Sequence, residues 1–285
     1  MEVRLKIALI RAIRGVVHGL AAVGLCVVPF DGWAALVLAV GYLVGMLGVT
    51  VGYHRYFSHL AFKTSRWFQL LLALAAISTL QRGVLWWAAV HRHHHRRSDR
   101  DDDLHSPRRG FWHAHVAWLD SPRVHAVDYA VVADFARFPE LALLDRVYYL
   151  PALAWAIGCA ALGGLVSWLD PAGEPRALQF VVYGFLVRTV LVWHATFAIN
   201  SLAHMFGDRR YATGDDSRNS LLLALITLGE GWHNNHHRCP SAARNGFFAG
   251  EIDMSYAVIR ALARLGLVWD VRPVPPHVLD EGRRP

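Results

Sequence analysis

The sequence predicts an all-α integral membrane protein, four transmembrane helices carrying a helical cytoplasmic cap, and three observations predict it. Of its 285 residues 54% are hydrophobic and 18% charged, with a positive mean hydropathy, a balance that suits a lipid-embedded chain better than a soluble domain. Four apolar stretches are long enough to cross a bilayer, and histidines gather where those stretches end. The whole chain, 1–285, reads as one domain: spans near 14–30, 33–53, 147–169 and 177–203, a cap from 54–146 and 204–270, and a Pro-rich, charged tail over 271–285.

The first span, Val16 to Phe30, follows Arg11 and Arg14, whose long side chains can reach the interface. A basic flank before an apolar run also describes a signal peptide, but no Ala-x-Ala site follows and a second span begins at once. Trp33 to Tyr53 holds 21 residues without a charge and Val147 to Leu169 holds 23. The fourth, Ala177 to Ala203, contains Arg188 near its middle, a charge expected to face the bundle interior. Trp67 to Leu80 is too short to cross comfortably, and crossing would separate His54 from His91, so it is expected to be re-entrant or interfacial. The turns at 29–32 and 170–176 hold one basic residue, Arg176, while every Lys and Arg but it and Arg188 lies on the other side. The positive-inside rule makes that side, with both termini, cytoplasmic. This asymmetry explains the net charge of +7 better than nucleic-acid binding does. Cys26, Cys159 and Cys239 are odd in number and scattered, so no disulfide framework is expected.

Histidine spacing carries the function. In Gly229-Glu230-Gly231-Trp232-His233-Asn234-Asn235-His236-His237, positions i+3 and i+4 of a helix fall about 60° behind and 40° ahead of position i, so three imidazoles share one face as a ligand fork. His91, His94 and His95 repeat the pattern, which suggests one shared site. His54 and His59 follow the second span, and His204 ends the fourth with Asn200 one turn before it. Nine histidines are therefore assigned to metal: His54, His59, His91, His94, His95, His204, His233, His236 and His237, with Asn200 positioned to hold a metal-bound water. Five residues advance about 140° beyond a full turn on an α-helix, so either the helix ends between His54 and His59 or they serve different ions. Imidazole ligands suit iron, zinc, copper or nickel, and spacing does not choose among them. His93 points away from its neighbours, and His18, His113, His115, His125, His194 and His277 match no ligand spacing.

His54-x4-His59, His91-Arg92-x-His94-His95, Asn200-x3-His204 and His233-Asn234-x-His236-His237, in this order, resemble the histidine boxes of the membrane fatty-acyl desaturases, in particular the stearoyl-CoA delta-9 type. Ser98-Asp99, Arg108-Arg109-Gly110-Phe111 and Gly229-Glu230-Gly231-Trp232 add to the likeness, which runs from about Gly52 to Asp270. The resemblance implies two non-haem iron ions held by the nine histidines, Asn200 reaching one through water, and O2-dependent desaturation of a saturated acyl chain. It places Gln81 and Trp87 along a bent acyl tunnel, with Phe197 where animal members have a tunnel tryptophan. Val90 stands where those members have an aspartate, and Leu104 replaces a proline between Asp103 and His105.

The expected partners are a fatty acyl-CoA or another acyl carrier, O2, membrane lipid and a separate ferredoxin, flavoprotein or cytochrome, because no haem or iron-sulfur ligand spacing is left over. Arg92, with Arg96, Arg97, Arg108 and Arg109, is the candidate contact for carrier phosphates, although neighbouring aspartates suit a solvated salt-bridged surface equally. A membrane hydroxylase with similar boxes is the alternative enzyme. A metal or proton transporter is the alternative of another class, and it would string histidines along the spans rather than gather them at one mouth.

Overall fold

The computed structural model describes residues 3–283. Helix α1 (Val3–Val27) starts among the basic residues ahead of the apolar run, since Arg, Lys, Leu and Ala all favour helix, and ends before Pro29. Asp31 caps α2 (Gly32–Ser58), its carboxylate accepting from Ala34 N at 3.0 Å. This helix is α-helical to Leu47 and π-helical over Gly48–Ser58. Next come α3 (Arg66–Ile77), α4 (Val84–Arg97), the short α5 (Phe111–His115), α6 (Tyr149–Leu169) and α7 (Ala177–His204). The cap adds α8 (His233–Arg238) and α9 (Met254–Arg264).

Four of these helices, α1, α2, α6 and α7, are long and apolar enough to cross a membrane. Their outer faces expose Leu20, Val23, Leu36, Val40, Ile157, Leu162 and Leu178, a belt that a water-soluble protein would not leave uncovered and that lipid satisfies. Helix α3 has 12 residues, about 18 Å at the α-helical rise. It does not cross, and packs instead against the π-helical end of α2.

The turns before α2 and before α7 meet at one end of the bundle, where Arg176 pairs with Asp31 and Gln179 Nε2 donates to Pro29 O at 2.9 Å. Both helices start there and run to the opposite end, where they deliver His54 and His204. A two-stranded antiparallel ladder, Lys63–Thr64 on Val268–Trp269, ties the C-terminal segment to the loop after α2. The three cysteines are free.

Arg188 is fully buried at the centre of α7. Its guanidinium donates to Gly41 O at 2.9 Å, Ser78 O at 2.8 Å and Ser78 Oγ at 2.9 Å. A charge too expensive for lipid thus becomes a three-way tie between α7, α2 and the end of α3. Gly45 makes the room, since a Cβ there would lie 2.6 Å from Arg188 NH2. Arg188→Met, which leaves the Ser78 and Gly41 oxygens without a donor, is expected to destabilise the detergent-solubilised protein by about 3 kcal/mol. Gly45→Ala is expected to destabilise it through the same contact, so the double variant should lose less than the sum of the two in denaturant unfolding.

Candidate metal centre

The two helical trios each divide between two centres. His91 and His95 of α4 join His236 of α8, while His233 and His237 of α8 join His94 of α4. The i and i+4 members of each helix stay together, and the i+3 member, about 100° from i+4, turns to the other group. The two forks meet at one place, and within it the two helices exchange their middle histidines between the groups. His54 and His59 complete a group of five with His91, His95 and His236, and His204 completes a group of four with His94, His233 and His237.

His54 and His59 enter one group because the end of α2 is not α-helical. A π turn closes by an i→i+5 bond, here His59 N to His54 O at 3.2 Å, and so stacks residues five apart. Their rings lie 4.8 Å apart. Of the two alternatives the first holds: the helix ends at Ser58, between the two histidines, and its widened last turn brings both to one group.

In the larger group Nε2 atoms face one another: His59 and His91 at 2.8 Å, His91 and His95 at 3.0 Å, His95 and His236 at 3.0 Å, and His54 and His236 at 3.0 Å. In the smaller, His233 Nε2 lies 3.0 Å from His204 Nε2 and 3.1 Å from His237 Nε2. Nitrogens bound to one ion at about 2.1 Å lie about 3.0 Å apart at right angles but about 3.4 Å apart at the tetrahedral angle. The spacing in each group therefore suits nitrogens that share one ion.

Carboxylates on the far side of the rings fix which nitrogen points inward. Asp99 engages His204 Nδ1 at 2.8 Å, Asp215 engages His237 Nδ1 at 2.7 Å, Asp103 engages His94 Nδ1 at 3.1 Å, and Glu230 lies 2.6 Å from His54 Nδ1. The three aspartates accept the Nδ1 hydrogen and leave the Nε2 lone pair aimed at its neighbours, with Glu230 against His54 in the same position, an arrangement that suits a cation between the rings. Burial favours raising all four carboxyls, but their histidine partners hold them below the usual carboxylate range. Burial, reinforced by neighbouring imidazoles, pushes His59, His91, His95, His233 and His236 well down. His237 falls to about 4 by the same desolvation, opposed by Asp215. His94 alone of these is raised, because Asp103 outweighs its burial.

These acids are what sequence reasoning missed. Asp99 and Asp103, expected on a solvated salt-bridged surface, are 1% and 0% exposed. Asp103 also accepts from Asp99 N at 2.9 Å and His105 N at 3.3 Å, which holds the turn around Leu104. The available signal was placement, an acid within about ten residues of each histidine trio.

Glu230 continues outward to the buried Arg55, whose Nε and NH2 reach Oε1 at 3.2 and 3.0 Å, and Arg55 in turn pairs with Asp253 at 2.9 Å. Gly229 at φ +124° makes the turn into α8, where a Cβ would meet Asp253 Oδ1 at 2.4 Å. Asn219 Oδ1 accepts from both Asn234 N and Asn235 N, at 3.0 and 3.1 Å, and so anchors the short histidine helix.

A cleft runs from α1 to the larger histidine group, lined by Ile13, Gln81, Trp87, Trp193, Thr196 and Phe197 and reaching His91 and Asn200. Gln81 donates to Thr196 Oγ1 at 3.2 Å across it, and Trp87 stacks between Tyr53 and His91. Asn200 also lines a smaller pocket shared by His54, His91, His94 and His233, between the two groups. Gln81, Trp87, Phe197 and Asn200 therefore meet at one slot, and Arg92 does not. Its guanidinium caps the end of α2 through Ser58 O at 2.9 Å and Phe57 O at 2.7 Å and grips Asp134 at 2.9 Å, since the last carbonyls of a helix need donors. Arg97 and Arg108 are likewise paired, with Asp102 and Asp216. His93 lies outside both groups, against Asp102 O.

A family model described as fatty acid desaturase matches residues 31–247. An sn-2 palmitoyl-lipid 9-desaturase of Nostoc sp. is 37% identical over 94% of this chain and 91% of its own. An sn-1 stearoyl-lipid 9-desaturase of Anabaena variabilis is 36% identical, covering 84% and 85% of the two chains. An acyl-CoA 5-desaturase of Anemone leveillei is 35% identical, covering 88% and 75%.

Two measurements test the centre. Asp215→Asn, which keeps shape but loses the charge on His237 Nδ1, is expected to weaken divalent-metal binding about 10- to 100-fold in chelator competition without unfolding the chain. The second is pH. Histidines depressed on folding bind protons more readily unfolded, so stability of the metal-free protein falls as pH drops below about 6.5. The loss continues towards the value of about 4 reached by His237. Thermal unfolding of the metal-free form should therefore shift down between pH 7 and 4, and a flat profile would contradict the depressed values.

Proposed function

Because the chain belongs to the fatty acid desaturase family and is of the stearoyl 9-desaturase type, we propose that it introduces the delta-9 double bond into a saturated acyl chain, carried as the CoA thioester, at a di-iron centre. Family membership makes it a membrane oxidoreductase acting on fatty acyl chains with O2. The observation that carries the finer reading is the pair of histidine groups at the inner end of one apolar cleft.

His54, His59, His91, His95 and His236 would hold one iron and His94, His204, His233 and His237 the other, with Asn200 between them. When bound, the irons would supply the reduction of O2 to water, two electrons coming from adjacent methylenes that become a double bond and two from a separate donor. The protein's own part is placement. A methylene offers no polar handle, so Trp87, Phe197 and the Gln81–Thr196 brace hold the chain by shape and exclude water. The aspartates and Glu230 orient the rings they touch, and burial disfavours their protonation. By the positive-inside rule the histidine end and both termini face the cytoplasm, where a ferredoxin, flavoprotein or cytochrome would dock on the cap. The chain reads throughout as one desaturase domain. A lipid-linked substrate is the second reading, favoured by the palmitoyl-lipid substrate of the Nostoc relative and by the contribution of membrane helix α1 to the cleft wall.

The test is expression in a host lacking its own desaturase, with a donor supplied. Iron near two per chain and a new double bond nine carbons from the carboxyl, located by mass spectrometry, are expected. His94→Ala should abolish product and lower iron content, while His93→Ala should do neither. Hydroxylated product in place of the double bond would favour the hydroxylase alternative, and metal uptake into vesicles without oxidised lipid the transporter.

A further inference from the structure

The cleft is mostly apolar, yet one side carries hydrogen-bond donors that have no acceptor among the described residues. Its tryptophans make the contrast. Trp86 Nε1 donates to Val124 O at 2.7 Å and Trp193 Nε1 to Thr79 O at 2.7 Å. Trp118 is 5% exposed, and its indole N–H has no acceptor among the described residues. Arg14, on the α1 side of the same cleft, spends NH2 on both oxygens of Asp120 at 2.9 and 3.0 Å, while its buried NH1 has no acceptor. Asp120 is shared with Arg11, so one carboxylate faces two guanidinium groups. Arg82, also lining the cleft, lies over the Trp86 ring at 4.1 Å and forms no ion pair among the described residues.

Indole and guanidinium N–H groups only donate. A molecule that occupies this side of the cleft must therefore bring an acceptor oxygen, and an acyl chain brings one at its linkage end. We propose that Arg14 NH1 and Trp118 Nε1 anchor the carbonyl oxygen of the acyl linkage, ester or thioester. The inference rests on the desaturase reading above and goes beyond it, because it assigns how the chain is measured. His105 connects the anchor to the metal side: its ring lies 4.2 Å from that of His94 and 5.1 Å from that of Trp118. With the carbonyl fixed one ring beyond the histidines, the methylenes that reach the centre are mid-chain ones, a set number of bonds from the anchor. Arg14 and Trp118 are thus specificity-determining residues.

Trp118→Phe keeps an aromatic ring but removes the N–H together with the five-membered half of the indole, and Arg14→Gln removes the fork without touching the cleft's aromatic wall. Each is compared with the wild type on dipalmitoyl phosphatidylglycerol vesicles and, separately, on palmitoyl-CoA, with O2 and a reduced ferredoxin supplied in both arms and metal content measured alongside. The arm in which the wild type turns over identifies the linkage as ester or thioester. In that arm both variants should keep wild-type metal content, raise KM about five- to tenfold, and replace a single double-bond position by a mixture with its neighbours. Unchanged KM with a single position in both variants would overturn the anchor. So would loss of metal from both, which would make the two residues structural. A wild type that makes no double bond in either arm, with metal bound, defeats the desaturase reading and the anchor with it.

Discussion

The structure depends on one electrostatic constraint, the convergence of imidazole lone pairs in a buried space. Nine Nε2 or Nδ1 atoms gathered this closely repel one another unless positive charge sits among them. The cheaper solution, protonation of the rings, is opposed by their burial. Burial disfavours imidazolium, while Asp99, Asp103, Asp215 and Glu230 occupy the outward nitrogens and dictate the tautomer. The Arg55–Glu230–His54 chain carries this support from the cap into the end of a membrane helix.

Local helix geometry then divides the ligands. A single α-helical trio cannot keep all three rings on one ion, because its members span about 100°. Two short helices, each sending its i+3 member to the other, turn that limitation into two centres. The π-helical end of α2 solves the opposite problem, bringing together rings five residues apart that an α-helix would separate. The same wide turn leaves carbonyls at its end, and Arg92 is consumed in capping them.

The cleft joins this polar centre to the membrane. Its walls are drawn from α1, from the loop after α3, from α4 and from α7, so its shape depends on the ties that hold those helices in register. Arg188 is the deepest of these, binding α7 to α2 and α3 from inside the bundle. The charge that most weakens the fourth span as a hydropathy signal is the one that fixes its position. On one side of the cleft, Arg14 and Trp118 keep donors in reserve where the rest of the lining offers carbon.

Composition, apolar runs and histidine spacing were enough to determine an all-α membrane chain, its four long helices, the nine imidazoles that assemble and the family it belongs to, because hydrophobic length and helical periodicity are properties of consecutive residues. They also marked Arg188 as inward-facing, since lipid excludes a charge whatever the neighbours are. What only the tertiary structure decided was the partition of the histidines between two groups, the acids behind them and the fate of Arg92. Each turns on partners distant in sequence, such as Asp99 on His204 or Arg188 on Ser78, and on a π turn that no periodicity announces. Spacing along the chain fixes which way a side chain leaves its own helix; what it meets there is set by the packing of other helices against it.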